Sequence, residues 1–248
     1  MSQSVREREG HPGPLRVGHK GAAHIETGNT IASFDAALAH DVDMIELDVL
    51  SERTDGGGRL LVGHDYEDLR SRPPLELDEA LAHLSGERFS SLQLDVDVKL
   101  PGYELRVLDA LRAHGLLART IISGMFPLAL ARIRAAEPDL RLGWSVPRVR
   151  RDYASDALTA VPALAILTGY RAMLPRRARA AIASGKVDAI MAHWRVVTRA
   201  LVRAVHEAGG QLYVWTVDDP RLIRRMTAMG VDGIITNDPR LFAESAES

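Results

Sequence analysis

The chain has 248 residues, 46% hydrophobic and 26% charged, with a formal net charge of −2, an ordinary globular composition without the basic excess that nucleic-acid binding favours. It contains no cysteine, which excludes disulfides, thiolate nucleophiles and cysteine–zinc sites. No run reaches the ~18 apolar residues of a membrane span, and the opening MSQSVREREGHPGP lacks the apolar core of a signal peptide.

These features predict a cytoplasmic protein with a loose N-terminal tail over residues 1–14 and a single domain over 15–248. The first strand-like run is LRVGH (Leu15–His19), followed by a helical pattern at Ile31, Phe34 and Leu38. The next, MIELDVL (Met44–Leu50), is apolar except for Glu46 and Asp48, which alternation places on one face. RLLVGH (Arg59–His64) follows after only SERTDGGG, Ser51–Gly58. That is too short for a parallel crossover and suits an antiparallel return. LQLDVDVKL (Leu92–Leu100) puts Asp95, Asp97 and Lys99 on one face. A helix with Leu105, Leu108 and Leu111 comes next, and then TIIS (Thr120–Ser123) and RLGWSV (Arg141–Val146). The arginine-rich stretches VPRVRRDY (Val146–Tyr153) and PRRARAAIASGK (Pro175–Lys186) read as solvated faces. VDAIMAH (Val187–His193), QLYVWTV (Gln211–Val217), a helix with Leu222, Ile223, Met226 and Met229, and DGIIT (Asp232–Thr236) complete the series.

Gly115, Gly185, Gly209 and Gly230 stand where helices end. A short repeat, Val-Asp-x-Ile, opens strands at 42–45, 187–190 and 231–234. Alternating helices and strands imply a mostly parallel sheet. Nine strand candidates fit a TIM (β/α)8 barrel with one extra antiparallel strand after the second barrel strand.

In such folds chemistry collects at the C-terminal ends of the strands. The residues there are His19 and Lys20, Glu46 and Asp48, His64, Asp97 and Lys99, Trp215 to Asp219, and Thr236 to Pro239. Glu46, Asp48 and Asp97 are hard oxygen ligands suited to one divalent cation, Mg²⁺ or Ca²⁺. Lys20 and Lys99 suit phosphate, and His19 and His64 suit proton transfer near neutral pH. Together they describe phosphoryl transfer with an oxygen leaving group. Trp215 is either a barrel-filling residue or a substrate wall. Asp95 reads as a structural partner of Lys99, and His24 and His193 as supports of the site.

The ordered motifs resemble the glycerophosphodiester phosphodiesterase family. They are His19-Lys20-Gly21, Asn29-Thr30, Glu46-Leu47-Asp48-Val49, His64-Asp65, Asp97-Val98-Lys99, Trp215-Thr216-Val217 and Gly233-Ile234-Ile235-Thr236. The resemblance implies a TIM barrel that hydrolyses glycerophosphodiesters to an alcohol and sn-glycerol 3-phosphate. It implies His19 and His64 as the acid–base pair, Glu46, Asp48 and Asp97 as metal ligands, and Lys20 and Lys99 at the phosphate. Three positions depart from the family pattern: Lys20 for arginine, Gly28 for the glutamate before Asn-Thr, and Asp97 for glutamate. Glu26 stands two residues before Gly28 as a substitute. Lysophospholipids or other phosphodiesters are alternative substrates, and a non-catalytic barrel binding a phosphorylated ligand is the alternative of another class.

Overall fold

The structure, a computed structural model, describes residues 13–147 and 160–246. Eight strands run parallel and close on themselves. They are β1 (Leu15–Gly18), β2 (Met44–Ser51), β5 (Gln93–Val98), β6 (Thr120–Gly124), β7 (Arg141–Val146), β8 (Ala189–His193), β9 (Gln211–Trp215) and β10 (Gly233–Thr236), with β1 pairing both β2 and β10. The chain is a TIM barrel. The short loop after β2 returns as β3 (Leu60–Val62), antiparallel to β2, as its length requires. A further strand, β4 (Leu75–Glu76), pairs antiparallel with β3, so the excursion holds two strands where the sequence pattern predicts one.

Helices α1 (Ile31–Ala39), α2 (Tyr66–Ser71), α3 (Leu77–Leu84), α4 (Glu104–Ala113), α5 (Pro127–Ala136), α6 (Ala160–Ala183), α7 (Arg199–Glu207), α8 (Pro220–Met229) and α9 (Leu241–Ala246) complete the described fold. Gly115, Gly185, Gly209 and Gly230 all have positive φ, from 66° to 80°, ending α4, α6, α7 and α8 in the conformation glycine adopts without strain. Arg176, Arg177 and Arg179 lie on the exposed side of α6, as PRRARAAIASGK predicts. The cluster VPRVRRDY beyond Pro147 lies outside the described residues, as do residues 1–12 of the expected tail. Among the described residues no helix is long and apolar enough to cross a membrane.

Alternation sorts each strand between two cores. On β2 the odd-numbered Ile45, Leu47 and Val49 face outward into the shell between strands and helices. Met44 joins Val17, Ile121, Ala189, Met191, Tyr213 and Ile235 inside the barrel. Below them Arg141 donates to Gln93 Oε1 and Gln211 Oε1, both at 2.8 Å, and to the Tyr213 hydroxyl at 2.9 Å. This polar plug closes the end of the barrel where the strands begin.

The Val-Asp-x-Ile repeat has a common structural job. The carboxylates of Asp43, Asp188 and Asp232 accept the backbone N–H of Arg16, Leu142 and Leu212 at 2.8, 2.8 and 2.7 Å. The same three aspartates donate their own N–H to the carbonyls of those residues. Each clamps the start of one strand to the start of its neighbour and fixes the register, which decides what faces the barrel interior.

Candidate active site

Register brings the acidic residues together. β2 and β5 pair with Glu46 opposite Asp95 and Asp48 opposite Asp97. All four carboxylates therefore face the interior at the end of the barrel where strands terminate. Glu46, Asp48 and Asp97 each offer an oxygen, all within 4.8 Å of one another. Asp48 is fully buried and Glu46 is 4% exposed. Asp48 Oδ1, Asp97 Oδ1 and Asp95 Oδ1 are buried without a hydrogen-bond partner. Lys99 Nζ donates to Asp97 Oδ2 at 2.8 Å and lies 2.9 Å from Asp48 Oδ1, at ion-pair distance without hydrogen-bond alignment. Hard, buried, unsatisfied oxygens converging on one point fit a divalent cation.

The electrostatics follow from this crowding. Burial, then the charges of Asp48 and Asp95, raise the Glu46 pKa well above the usual carboxylate range. Burial pushes Asp95 up to about 8. Burial acts in the same direction on Asp48, but Lys99 and Lys20 outweigh it and hold this carboxylate well below its ordinary range. For Lys99, burial alone would favour the neutral amine, and the charges of Asp48, Asp97 and Glu46 reverse this and raise its pKa. Asp95 does not pair with Lys99 as expected from their shared strand face. The ammonium is taken up by Asp97 and Asp48 instead, and the Ser123 hydroxyl beside Asp95 opposes the rise in its pKa.

The loop after β1 is built around this cluster. Lys20 has φ of 53°, a left-handed conformation, and its backbone N–H donates to Glu46 Oε2 at 2.7 Å. Its ammonium lies 3.9 Å from Asp48 Oδ2. Asn29, buried and also left-handed with φ of 60°, donates from Nδ2 to Asp48 Oδ2 at 2.9 Å and accepts the Asp48 N–H at 3.1 Å. Asn29 thus orients the Asp48 carboxylate, a task its place in the sequence did not reveal. Glu26 is exposed and is not one of the converging carboxylates.

The two histidines differ sharply. The His19 side chain is 18% exposed. Burial and then the charge of Lys20 lower its pKa to about 4, so it is neutral at neutral pH. Its Nε2 lies 3.8 Å from Glu46 Oε2, and its Nδ1 lies 2.7 Å from Asn237 Oδ1. His64 follows β3, which carries it back over the end of β2. Its side chain is 47% exposed, with Nδ1 3.0 Å from Asp65 Oδ2. Asp65 also caps α2 by accepting the N–H groups of Glu67 and Asp68, so the helix start fixes the carboxylate that holds His64.

Both histidines line one cavity of about 150 Å³, together with Glu46, Asp95, Asp97, Lys99, Ser123 and Trp215. Trp215 donates from its indole to Met191 O at 3.0 Å and meets the His193 ring edge-on at 5.0 Å between centroids. It is therefore a fixed wall, with His193 beside it. Lys20 lines a second, outer cavity of about 370 Å³ with Gly28, Thr27 and Asp65, and His64 borders both. His24 reaches the site through its backbone, donating its N–H to Asn237 O at 2.9 Å.

A TIM barrel carrying converging carboxylates, two histidines and two lysines at its strand ends has the equipment of a phosphoric diester hydrolase. Residues 98–241, more than half of the chain, match the glycerophosphoryl diester phosphodiesterase family. The chain belongs to that family and is an enzyme of its class. It is 25% identical to a glycerophosphodiester phosphodiesterase of Caldanaerobacter subterraneus subsp. tengcongensis, over 91% of this chain and 94% of the relative. The fold is shared with a glycerophosphodiester phosphodiesterase from Parabacteroides distasonis (TM-score 0.73, 17% identity, 95% of this chain and 98% of that one). It is also shared with an Oleispira antarctica phosphodiesterase in complex with the product sn-glycerol-3-phosphate (TM-score 0.68, 17% identity, 95% and 98%).

Proposed function

We propose that the protein hydrolyses glycerophosphodiesters to an alcohol and sn-glycerol 3-phosphate, using one divalent cation, Mg²⁺ or Ca²⁺, held by Glu46, Asp48 and Asp97. The observation that carries this reading is that His19, His64, Lys99 and two of the three proposed ligands line one small cavity. The relative bound to sn-glycerol-3-phosphate supports the product assignment. A bound divalent cation supplies Lewis-acid stabilisation of charge on the phosphoryl oxygens.

The chain's own residues do the remaining work. Lys99 and Lys20 approach the phosphate from the inner and outer cavities and offset its charge. Neutral His19 takes the proton of the attacking oxygen at Nε2. That oxygen belongs to water, or to the adjacent hydroxyl of the glycerol; either attack breaks the same P–O bond, and the hydroxyl route closes a cyclic phosphate that water then opens to sn-glycerol 3-phosphate. His64, at the open side with Nδ1 held by Asp65, gives a proton to the departing alcohol oxygen. Trp215 walls the inner cavity, whose size suits a three-carbon polyol.

The test is turnover of glycerophosphocholine and of an aryl phosphodiester after chelation, with and without added Mg²⁺ or Ca²⁺, with products identified by phosphorus NMR. Metal-dependent release of sn-glycerol 3-phosphate is expected. Absence of metal-dependent turnover of any diester would overturn the reading. Replacement of His19 or Glu46 by alanine should lower kcat by about 100-fold or more.

A further inference from the structure

The ends of β9 and β10 carry a hydrogen-bonded chain that reaches His19 and that the reaction described above does not use. Asp218 accepts three hydrogen bonds. Its Oδ1 takes the Thr236 hydroxyl at 2.9 Å and the Asn237 backbone N–H at 2.8 Å, and its Oδ2 takes Asn237 Nδ2 at 2.6 Å. A carboxylate with these donors is an acceptor on both oxygens. The atom of Asn237 that faces it must therefore be the amide nitrogen. This settles the orientation of the amide by chemistry, and it leaves Asn237 Oδ1 as the atom 2.7 Å from His19 Nδ1. A carbonyl oxygen can only accept. His19 Nδ1 must then carry hydrogen, and in the neutral ring Nε2 is the bare nitrogen. Nε2 is also the nitrogen turned toward Glu46 and the cavity.

The chain is rigid along its length. The Asn237 carbonyl accepts the His24 N–H at 2.9 Å, and the His19 N–H donates to Thr236 O at 2.8 Å. Backbone and side chain of Asn237 are thus both held, so its amide cannot turn without losing the bond to Asp218.

We infer that Asp218 and Asn237 are positioning residues for His19: Asp218 fixes the Asn237 amide, and Asn237 keeps the imidazole hydrogen on Nδ1, so that Nε2 presents a lone pair to the attacking oxygen. The inference rests on His19 being the proton acceptor of the proposed reaction.

Asp218→Asn tests it. The new amide can still accept from Thr236 and the Asn237 N–H, but its nitrogen faces Asn237 Nδ2, donor against donor. Turning the Asn237 amide relieves this clash and presents Nδ2 to His19 Nδ1, which moves the ring hydrogen to Nε2. Asp218→Asn should lower kcat by about 100-fold, within the range for losing a general base, with KM little changed. The exchanged pair, Asp218→Asn with Asn237→Asp, restores the order of donors: the new amide donates to the new carboxylate, which again accepts from Nδ1. It should recover most of the lost rate.

Nitrogen-15 NMR of histidine-labelled, metal-free protein reads the tautomer directly, with hydrogen on Nδ1 of His19 expected in the wild type and in the exchanged pair. Hydrogen on Nε2 in the wild type would overturn the inference even if no variant folds. Near-wild-type kcat in folded Asp218→Asn, or an exchanged pair no faster than that single variant, would also overturn it. Unimpaired turnover by His19→Ala would instead defeat the catalytic reading, and the NMR result would still judge the relay.

Discussion

At the scale of single residues, Gly28 packs directly against Lys20. A Cβ at Gly28 would lie 2.9 Å from Lys20 Cβ and 3.0 Å from Ala23 Cβ. A side chain at residue 28 therefore requires Lys20 or Ala23 to shift from its place in this chain. Gly28→Glu should push Lys20 aside and lower kcat/KM by about tenfold, chiefly through KM, because Lys20 acts on bound phosphate and not on the transferred proton. Steady-state kinetics on a soluble diester checks this, and unchanged KM would show that Lys20 is not at the phosphate. Asn29 makes a second residue-scale case. Asn29→Ala removes both of its bonds to Asp48 and leaves a buried carboxylate less fixed, so affinity for the divalent ion should fall by about 10- to 100-fold, measured by isothermal titration calorimetry.

At the scale of elements, the aspartate clamps carry much of the architecture. Asp188→Ala would leave the Leu142 N–H without the carboxylate it donates to and release Arg134, which pairs with Asp188. The cost should be about 1–3 kcal/mol in urea unfolding. The clamp lies at the end of β8 away from the cavity, so kcat should be unaffected. These clamps were legible in the sequence as a repeat, since the residue before a strand meets the same neighbour each time. So were the barrel and the antiparallel return, because alternation and loop length are local properties. The two-residue β4 carries no period to read. Asn237 and Asp218 stood among the strand-end residues without a role, because their partnership depends on β9 and β10 ending side by side. Asp95 points to Lys99 in the sequence, whereas the structure pairs Lys99 with Asp48 and Asp97. Strand alternation shows which residues share a face. It does not show that register sets Asp48 beside the same ammonium.

At the scale of the whole molecule, the carboxylate cluster ties stability to pH and to the ion. With no ion bound, the folded protein holds protons on Glu46 and Asp95 that the unfolded chain has released, since both pKa values are raised, Asp95 to about 8. Stability should therefore fall as pH rises from the ordinary carboxylate range toward 8. His19 acts oppositely: lowered to about 4 from 6.5, it adds stability as pH rises between those values, and its effect is complete above about 6.5. From pH 6.5 upward only the carboxylates remain, and Asp95 alone should contribute a loss of about 2 kcal/mol between pH 6.5 and 8. For a chain of this size that is roughly 5 °C in Tm. Asp95→Asn, which keeps the shape and cannot ionise, should lose correspondingly less over the same interval. A divalent cation favours the ionised carboxylates, so saturating Mg²⁺ or Ca²⁺ should flatten the wild-type profile, and its effect on Tm should grow with pH. Glu46→Gln should abolish that ion-dependent gain. Thermal melts in chelator and in either ion across pH 6.5 to 8.5 separate these outcomes. A wild-type Tm that is flat in chelator and indifferent to both ions would show that the four carboxylates are balanced by Lys20 and Lys99 alone, and that the cluster is no cation site.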